Sequence, residues 1–236
     1  MQEFEVRANP NMRVATGIIG SEEQPIILVE DFIQNAEELV EHIASNQTFI
    51  ESEDYYPGIR SMTPYSYMDR IQQMLGAFIC KTFAIDPKNI SHADSFLSIV
   101  TTPPNELMPA QRIPHFDGTN PEDIAFLHYL CDEKFGGTSF YRHKASGYEY
   151  VNGERYPNYM ALVKEESQNP DPIYMNGSTA YYDRIDTIEA HFNRLIIYRG
   201  TSLHSGNIDP DYLFDPDPRS GRLTITSFLY SKQDPK

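Results

Sequence analysis

Two histidines and one aspartate define the chemistry that this chain could perform. His115 and Asp117 are two positions apart, and His204 follows much later in the sequence. Residues i and i+2 of a β-strand point to the same face, so the His115 imidazole and the Asp117 carboxylate would converge on a strand. With His204 from a distant strand they form two imidazoles and one carboxylate, which leaves three positions of an octahedral Fe(II) open. The pattern predicts a metal site; its alternative is a solvated polar pair at a strand end.

Short apolar runs must supply the strands that position these side chains. From about Ser95 onward such runs alternate with Pro, Gly and Asp, which is typical of a sandwich or barrel. The runs are 96–100, 124–131, 138–141, 193–198 and 223–230. Upstream, helical periodicity predicts helices over 36–45, with Asn35 as N-cap, and over 67–83. The Pro57-Gly58 pair predicts a turn or loop that extends to Arg60.

Residues 142–192 interrupt this rhythm of strands. The segment is polar and rich in tyrosine, with a helical stretch at 159–166. A long excursion between two strands is usually a lid or a binding loop. We therefore expect this insertion to border the mouth of the metal site and to contribute to substrate choice. Ordinary burial of a long loop explains its tyrosines equally well.

The composition argues against several classes of partner. Among 236 residues, 19 are basic and 34 are acidic, which gives a formal net charge of −15. Such a surface repels phosphate backbones and anionic lipids, so we expect neither nucleic acid nor a membrane as a partner. The two cysteines, Cys80 and Cys131, form no metal-binding or disulfide pattern, which fits a reducing compartment. Because the N-terminus is polar and no long apolar run occurs, we expect a cytoplasmic protein.

Further motifs follow Asp117 in a characteristic order. They are Tyr129-Leu130-Cys131 at the end of an aliphatic strand, the Gly136-Gly137-Thr138 turn, the strand 193–198 before Leu203-His204-Ser205, and Arg222-Leu223-Thr224. Together with His115-Phe116-Asp117, this order resembles the Fe(II)/2-oxoglutarate oxygenases, in particular their prolyl-hydroxylase-like branch. The resemblance covers roughly residues 95–230 and, more loosely, 25–45.

A second resemblance is closer. The segment Tyr56-Pro57-Gly58-Ile59-Arg60 and the run from Phe192 to Leu195 look like an uncharacterised bacterial family. Members of that family are often encoded beside tryptophan-halogenase-like proteins and outer-membrane receptors. This likeness says little about the substrate.

The resemblance to the oxygenases implies a fold. It is a mainly β, cupin-like jelly roll, the double-stranded β-helix, with supporting helices. We expect a single oxygenase domain over residues 1–236. Its N-terminal helical support would occupy about 1–94, and its jelly-roll core about 95–232, including the insertion 142–192.

The same resemblance implies ligands and the residues that hold them. Fe(II) would be bound by His115, Asp117 and His204, and the cosubstrate 2-oxoglutarate by Arg222, Tyr129 and Thr224. The interval between His204 and Arg222 is longer than usual in this superfamily, which leaves Arg219 as an alternative anchor. Tyr129 also fits a strand position simply because tyrosine packs well there. A surface ion pair with a nearby aspartate is the alternative for Arg222.

The expected function is 2-oxoglutarate-dependent oxidation by dioxygen. Halogenating relatives replace the aspartate of the HxD motif with a small residue, so the intact Asp117 favours hydroxylation or a related oxidation. The substrate would be a peptide or protein side chain, an amino acid or another small metabolite. Two alternatives stay open: a metal-binding jelly roll that has lost turnover, and a protein-interaction module that uses the tyrosine-rich insertion.

Three other polar residues have ordinary interpretations. His128 is adjacent to Tyr129 and faces the other side of the strand, so we interpret it as a packing histidine. His143 is expected to be a solvated loop histidine. Arg60 could reach a substrate carboxylate, but an ion pair within its loop is the simpler expectation.

Overall fold

Two antiparallel β-sheets form most of the structure, a computed structural model that describes residues 4–64, 66–166, 171, 173–209 and 211–232. The strands are β1 (Arg13–Ile19), β2 (Gln24–Glu30), β3 (Ile50–Glu51), β4 (Gly58–Met62), β5 (Ile90–Val100), β6 (Ile124–Tyr129), β7 (Thr138–His143), β8 (Tyr182–Ile188), β9 (Arg194–Arg199), β10 (His204–Gly206) and β11 (Leu223–Ser231). The helices are α1 (Ala36–Asn46), α2 (Ser66–Phe83) and α3 (Tyr156–Glu166). None of the described helices is long and apolar enough to cross a bilayer.

The strand order shows the predicted jelly roll. The larger sheet has the order β1-β2-β9-β6-β11-β5-β4-β3, and the smaller sheet has the order β10-β7-β8. An isolated antiparallel bridge between His115 and His204 adds the segment around His115 to the open edge of β10. The fold is therefore the expected mainly β, cupin-like jelly roll with supporting helices.

One face of the larger sheet packs against the two N-terminal helices. Side chains at alternate strand positions, such as Leu97 and Ile99 in β5, meet the apolar stripes of α1 and α2 in one buried cluster. Both helices match the predicted ranges closely. Asn35 is the N-cap residue of α1, as predicted, but its side chain makes no capping hydrogen bond: it accepts the Arg7 N–H and donates to the Glu5 carbonyl, each at 3.0 Å. Asn35 thereby ties the N-terminal segment to the helix start.

The opposite face of the larger sheet lines the interior between the sheets. Arg60 in β4 lies opposite Ser98 in β5, Ser98 lies opposite Thr224 in β11, and Thr224 lies opposite Tyr129 in β6. Residues directly opposite each other in a sheet project to the same face. A row of polar side chains therefore crosses four strands on the inner face.

The segment 142–192 is only partly an excursion from the sheets. Its first two residues complete β7, and β8 pairs antiparallel with β7 in the smaller sheet. The part that leaves the sheets is 144–181, which contains α3. Residues 167–170 and 172 of the predicted insertion, Pro210 of the predicted core, and residues 1–3 and 233–236 lie outside the described residues.

Candidate metal centre

The structure brings His115, Asp117 and His204 together. One ligand atom from each lies within 4.8 Å of the others. His115 Nε2 is 3.9 Å from Asp117 Oδ1, and His204 Nε2 is 3.7 Å from Asp117 Oδ2. Bonds from imidazole nitrogen or carboxylate oxygen to zinc are about 2.0–2.2 Å, so a cation of similar size between these atoms could contact all three after small adjustments.

Backbone hydrogen bonds fix the relative position of the two histidines. His115 N–H donates to the His204 carbonyl at 2.8 Å, and His204 N–H donates to the His115 carbonyl at 2.9 Å. Asp117 N–H donates to the Gly200 carbonyl at 2.7 Å. His204 also belongs to β10, where it lies opposite Phe140 of β7. The sheet edge therefore sets the spacing of the three side chains.

A hydrogen bond from Nδ1 fixes the orientation of the His204 ring. Nδ1–H donates to the Ser202 carbonyl at 2.9 Å, which leaves Nε2 as the free acceptor that faces Asp117. Metal-binding histidines are typically held this way, by a hydrogen bond from the nitrogen that does not bind the metal. The rings of Tyr198 and Phe140 pack around the imidazole. The side chain of His204 is 6% exposed, whereas that of His115 is 52% exposed and marks the open side of the site.

The electrostatics of the site favour the neutral imidazole at position 115. Desolvation by the surrounding protein lowers the pKa of His115 well below its ordinary value. About half of the His115 side chain is nevertheless exposed. The positive charges of His204 and Arg60 lower the pKa of His115 further. Burial raises the pKa of Asp117, and the positive charges of His204 and Arg60 partly oppose this rise. A neutral imidazole is the form that binds a metal ion.

Arg222 is a buried cation that has no carboxylate partner among the described residues. It is 3% exposed, and no ion pair between described residues includes it. Its Nε donates to the Phe135 carbonyl at 3.2 Å and its Nη2 to the Gly137 carbonyl at 2.9 Å. Its backbone N–H donates to the Tyr212 hydroxyl at 2.9 Å. Carbonyl partners orient the guanidinium but do not neutralise it, so the side chain is suited to bind an anion.

The two glycines of the Gly136-Gly137 turn make this orientation possible. Gly136 has φ 75°, and a Cβ there would lie 1.6 Å from the Asn207 carbonyl oxygen. A Cβ at Gly137 would lie 1.9 Å from the Ile188 carbonyl oxygen. Only glycine permits such close backbone approach. The turn thereby presents the carbonyls that hold Arg222.

The other predicted cosubstrate residues lie near Arg222. Thr224 follows it on the same strand face and is directly opposite Tyr129. The Tyr129 ring centroid is 5.9 Å from the Arg222 Cζ, and its hydroxyl is 2.7 Å from Thr138 Oγ1. The alternative anchor, Arg219, is instead on the surface, where it pairs with Glu41 at 3.0 Å. The geometry therefore favours Arg222 over Arg219.

The strand that carries Arg60 was not predicted from the sequence. Residues 58–62 form β4 rather than a loop, because Gly58 allows the backbone to approach β5 closely. A Cβ at Gly58 would lie 2.1 Å from the Ile99 carbonyl oxygen. Ile59 on the outer face and Arg60 on the inner face alternate as strand residues do, and this was the available signal. Arg60 does form the expected ion pair, with Asp54.

Two further histidines have clear structural roles. His128 is fully buried, with Nδ1 2.9 Å from the Tyr67 hydroxyl and Nε2 3.1 Å from Asn193 Oδ1, which confirms a packing role. His143 is also fully buried, which contradicts the expected solvated loop position. It lies at the end of β7 and contacts Ser146 Oγ at 2.8 Å and Glu166 Oε2 at 2.7 Å. These contacts join the end of α3 to the smaller sheet.

The segment 144–181 contacts the elements around the metal centre in two places. Val151 N–H donates to Thr201 O at 2.8 Å, close to His204 in sequence. α3 covers Phe116, which alternates with His115 and Asp117 and so faces away from the metal site. Further along, the Tyr174 hydroxyl donates to the Thr102 carbonyl at 2.6 Å and its ring packs beside Tyr212 at the Arg222 end. The segment thus supports the segment around His115 from behind and reaches the Arg222 end of the interior with Tyr174.

Comparisons with known proteins place the chain in a family. Among solved structures it is similar to the crystal structure of the non-heme alpha ketoglutarate dependent epimerase SnoN from nogalamycin biosynthesis. The identity is 10% and the TM-score 0.41, over 87% of this chain and 77% of that one. No curated protein matches. A family model, described as a family of unknown function (DUF6445), matches residues 10–229, and the chain belongs to that family.

Proposed function

We propose that this protein is an Fe(II)- and 2-oxoglutarate-dependent oxygenase. The observation that carries the proposal is the placement of two kinds of group in one interior. His115, Asp117 and His204 converge within 4.8 Å, and Arg222 lies buried on the inner face of the opposing sheet, where no described residue offers it a carboxylate. The genomic neighbourhood and the prolyl-hydroxylase-like branch expected from the sequence stay predictions.

The residues present fit both groups that this function requires. Two imidazoles and one carboxylate are a donor set suited to Fe(II), and they leave open positions for reactants. A buried guanidinium suits the distal carboxylate of 2-oxoglutarate, since arginine keeps its charge and offers a planar fork of donors. When bound, Fe(II) with 2-oxoglutarate as electron donor supplies oxidation of a substrate C–H bond by dioxygen, with succinate and carbon dioxide as co-products.

The residues of this chain would bind and orient the metal and the cosubstrate. His115 Nε2, Asp117 and His204 Nε2 hold the metal, and the Ser202 carbonyl keeps the His204 ring in the tautomer that leaves Nε2 free. Arg222 donates to the cosubstrate, with the hydroxyls of Tyr129 and Thr224 next to it on the sheet.

Aromatic packing limits the access of water to the buried side of the site. The rings of Phe140 and Tyr198 surround His204, and their centroids lie 5.2 Å apart. His115 remains on the exposed side, where substrate and dioxygen would enter. With Asp117 intact, hydroxylation is the simplest outcome.

The test is formation of succinate. Protein loaded anaerobically with Fe(II) is given 2-oxoglutarate and air, and we expect slow succinate formation that a substrate accelerates. Asp117→Ala should lose both iron and succinate formation, while His92→Gln, which changes an exposed histidine of β5, should keep both. If wild-type protein binds iron but forms no succinate with any candidate substrate, the protein is a metal-binding jelly roll without turnover. If it binds no iron, the interaction module is the better description.

A further inference from the structure

Arg60 is a second arginine on the inner face of the larger sheet. It lies in the polar row two strands away from Thr224, which corresponds to about 10 Å between backbones at the usual strand spacing. Its side chain is 12% exposed. The proposed function assigns the anion-binding role at the cosubstrate end to Arg222, so the role of Arg60 is left open.

The guanidinium of Arg60 lies over two aromatic rings. Its Cζ lies 4.4 Å from the Tyr56 ring centroid and 4.9 Å from that of Phe96. Arginine stacks on aromatic faces in this way and then presents its donors from the edge of the plane. Stacking therefore fixes the plane in which Arg60 can bind an anion.

The ion pair with Asp54 uses only the Nη1 atom of the guanidinium. Nη1 donates to Asp54 Oδ2, and the Asp54 side chain is 54% exposed. The Nε of Arg60 is buried and has no hydrogen-bond partner in the described part of the chain. An unpaired buried donor typically costs about 1–3 kcal/mol, so a surface ion pair alone does not account for the position of Arg60. The edge formed by Nε and Nη2 is free for a ligand.

Arg60 is also close enough to act on the metal centre. Its charge lowers the pKa of both His115 and Asp117, after the larger effect of desolvation. Tyr56, whose ring lies against Arg60, has a buried hydroxyl that is close to Thr224 and Arg222. The space beside the metal centre is therefore lined by the Tyr56 hydroxyl and by Arg60, whose Nε is unpaired among the described residues.

We propose that Arg60 binds a carboxylate of the substrate through Nε and Nη2, so that the substrate is a small carboxylic acid, such as an amino acid. This inference rests on the proposed function, in which Arg222 binds 2-oxoglutarate. A carboxylate matches the free edge because its two oxygens accept two parallel hydrogen bonds from an arginine fork.

The test compares carboxylic acids with their own amides. The probes are the amino acids and simple aliphatic and aromatic monocarboxylic acids, each paired with its primary amide. Binding is measured by saturation-transfer NMR and calorimetry on zinc-loaded protein with saturating 2-oxoglutarate, so that Arg222 is occupied and no turnover occurs. We expect at least one acid to bind about tenfold or more tightly than its amide, which corresponds to about 1.4 kcal/mol.

Variants at position 60 test whether Arg60 causes the preference for the acid over the amide. Arg60→Met keeps the stem beside the aromatic rings and should abolish the preference for the acid over the amide. Arg60→Lys keeps the charge but not the fork and should weaken binding of the acid about tenfold. Arg219→Gln is the matched control, since it removes another arginine that pairs with an acidic side chain but lies on the surface. It should bind the acid as wild-type protein does.

Three outcomes would overturn the inference. In the first, no acid binds wild-type protein more tightly than its amide. In the second, Arg60→Met, shown to be folded by its thermal unfolding, binds the selected acid normally; if that variant does not fold, normal binding by Arg60→Lys has the same meaning. In the third, Arg60→Met no longer binds 2-oxoglutarate, which would mean that Arg60 binds the cosubstrate rather than the substrate. If wild-type protein binds neither metal nor 2-oxoglutarate, the proposed function fails instead, and the panel on metal-free protein still decides whether Arg60 binds carboxylates.

Discussion

At the scale of single residues, the site depends on which atoms the chain leaves free. His204 uses Nδ1 on the Ser202 carbonyl and keeps Nε2 available. Arg222 uses Nε and Nη2 on two carbonyls and keeps its charge unneutralised. Both side chains are buried, where an unused acceptor or charge is costly unless a ligand meets it. Free atoms in buried positions are thus the main argument for a metal and an anion.

The role of Arg222 can be measured directly. Arg222→Gln should weaken 2-oxoglutarate binding to metal-loaded protein by about 2–5 kcal/mol, because it removes one member of a buried charge pair. Metal affinity should change little, since no atom of Arg222 belongs to the ligand set. Calorimetric titration of metal-loaded protein checks both. Arg219→Gln should behave as wild-type protein, and the reverse pattern between these two variants would move the anchor to Arg219.

At the scale of elements, the Gly136-Gly137 turn connects β7 to Arg222, the proposed anchor of the cosubstrate. Gly136→Ala should destabilise the fold by about 2–5 kcal/mol, since it adds a collision to the strain of a positive φ. It should also weaken 2-oxoglutarate binding, because the carbonyls that hold Arg222 would move. Gly147→Ala is the matched control: its φ is 74°, but a Cβ there meets nothing within 4 Å.

Chemical denaturation separates the two glycines. We expect Gly147→Ala to cost only about 1–2 kcal/mol, the strain of a left-handed conformation. Equal losses of unfolding free energy in the two variants would show that the contact with Asn207 is not important.

His128 joins β6 to α2, and its protonation should weaken that contact. Burial lowers the pKa of His128 to about 4, against a smaller opposing effect of the hydrogen bond to Asn193. The unfolded chain binds a proton near pH 6.5, whereas the folded chain does so only near pH 4. The contribution to stability is therefore complete above pH 6.5 and is lost as the pH falls towards 4, on the order of 3 kcal/mol in all.

A variant isolates this contribution from the titration of the many carboxylates. The stability advantage of wild-type protein over His128→Gln should shrink by about 2 kcal/mol between pH 7 and pH 5. Urea denaturation at the two pH values measures it. An advantage that does not depend on pH would mean that His128 accepts a proton in the folded protein as readily as in the unfolded chain.

At the scale of the whole molecule, the sequence predicts the parts with strong periodicity. Helices α1 and α2 and strands β5, β6, β9 and β11 carry regular apolar positions, and the structure has each of them near its predicted range. β8 was missed because its sequence, YDRIDTI, is polar and owes its strand conformation to pairing with β7. The convergence of His115, Asp117 and His204 was predicted from their types and spacing, and the structure brings them together. The position of Arg60 instead depends on a strand register that no local pattern encodes.

Metal binding should also stabilise the whole chain. The ligands come from two distant segments, one around His115 and one in β10, so a bound ion joins them in the folded state only. At a free metal concentration of 100 times Kd the gain is about 2.7 kcal/mol. Thermal unfolding should shift upwards with Zn(II) in wild-type protein and not in Asp117→Ala. Equal shifts in both would place the ion elsewhere.

The most direct test of the central claim is a crystal structure of the protein prepared anaerobically with Fe(II) and 2-oxoglutarate, with anomalous data at the iron edge. We predict one iron peak at about 2.0–2.2 Å from a ring nitrogen of His115, an oxygen of Asp117 and His204 Nε2. The distal carboxylate of 2-oxoglutarate should contact Arg222. The absence of iron between these three side chains at saturating Fe(II) would contradict the account.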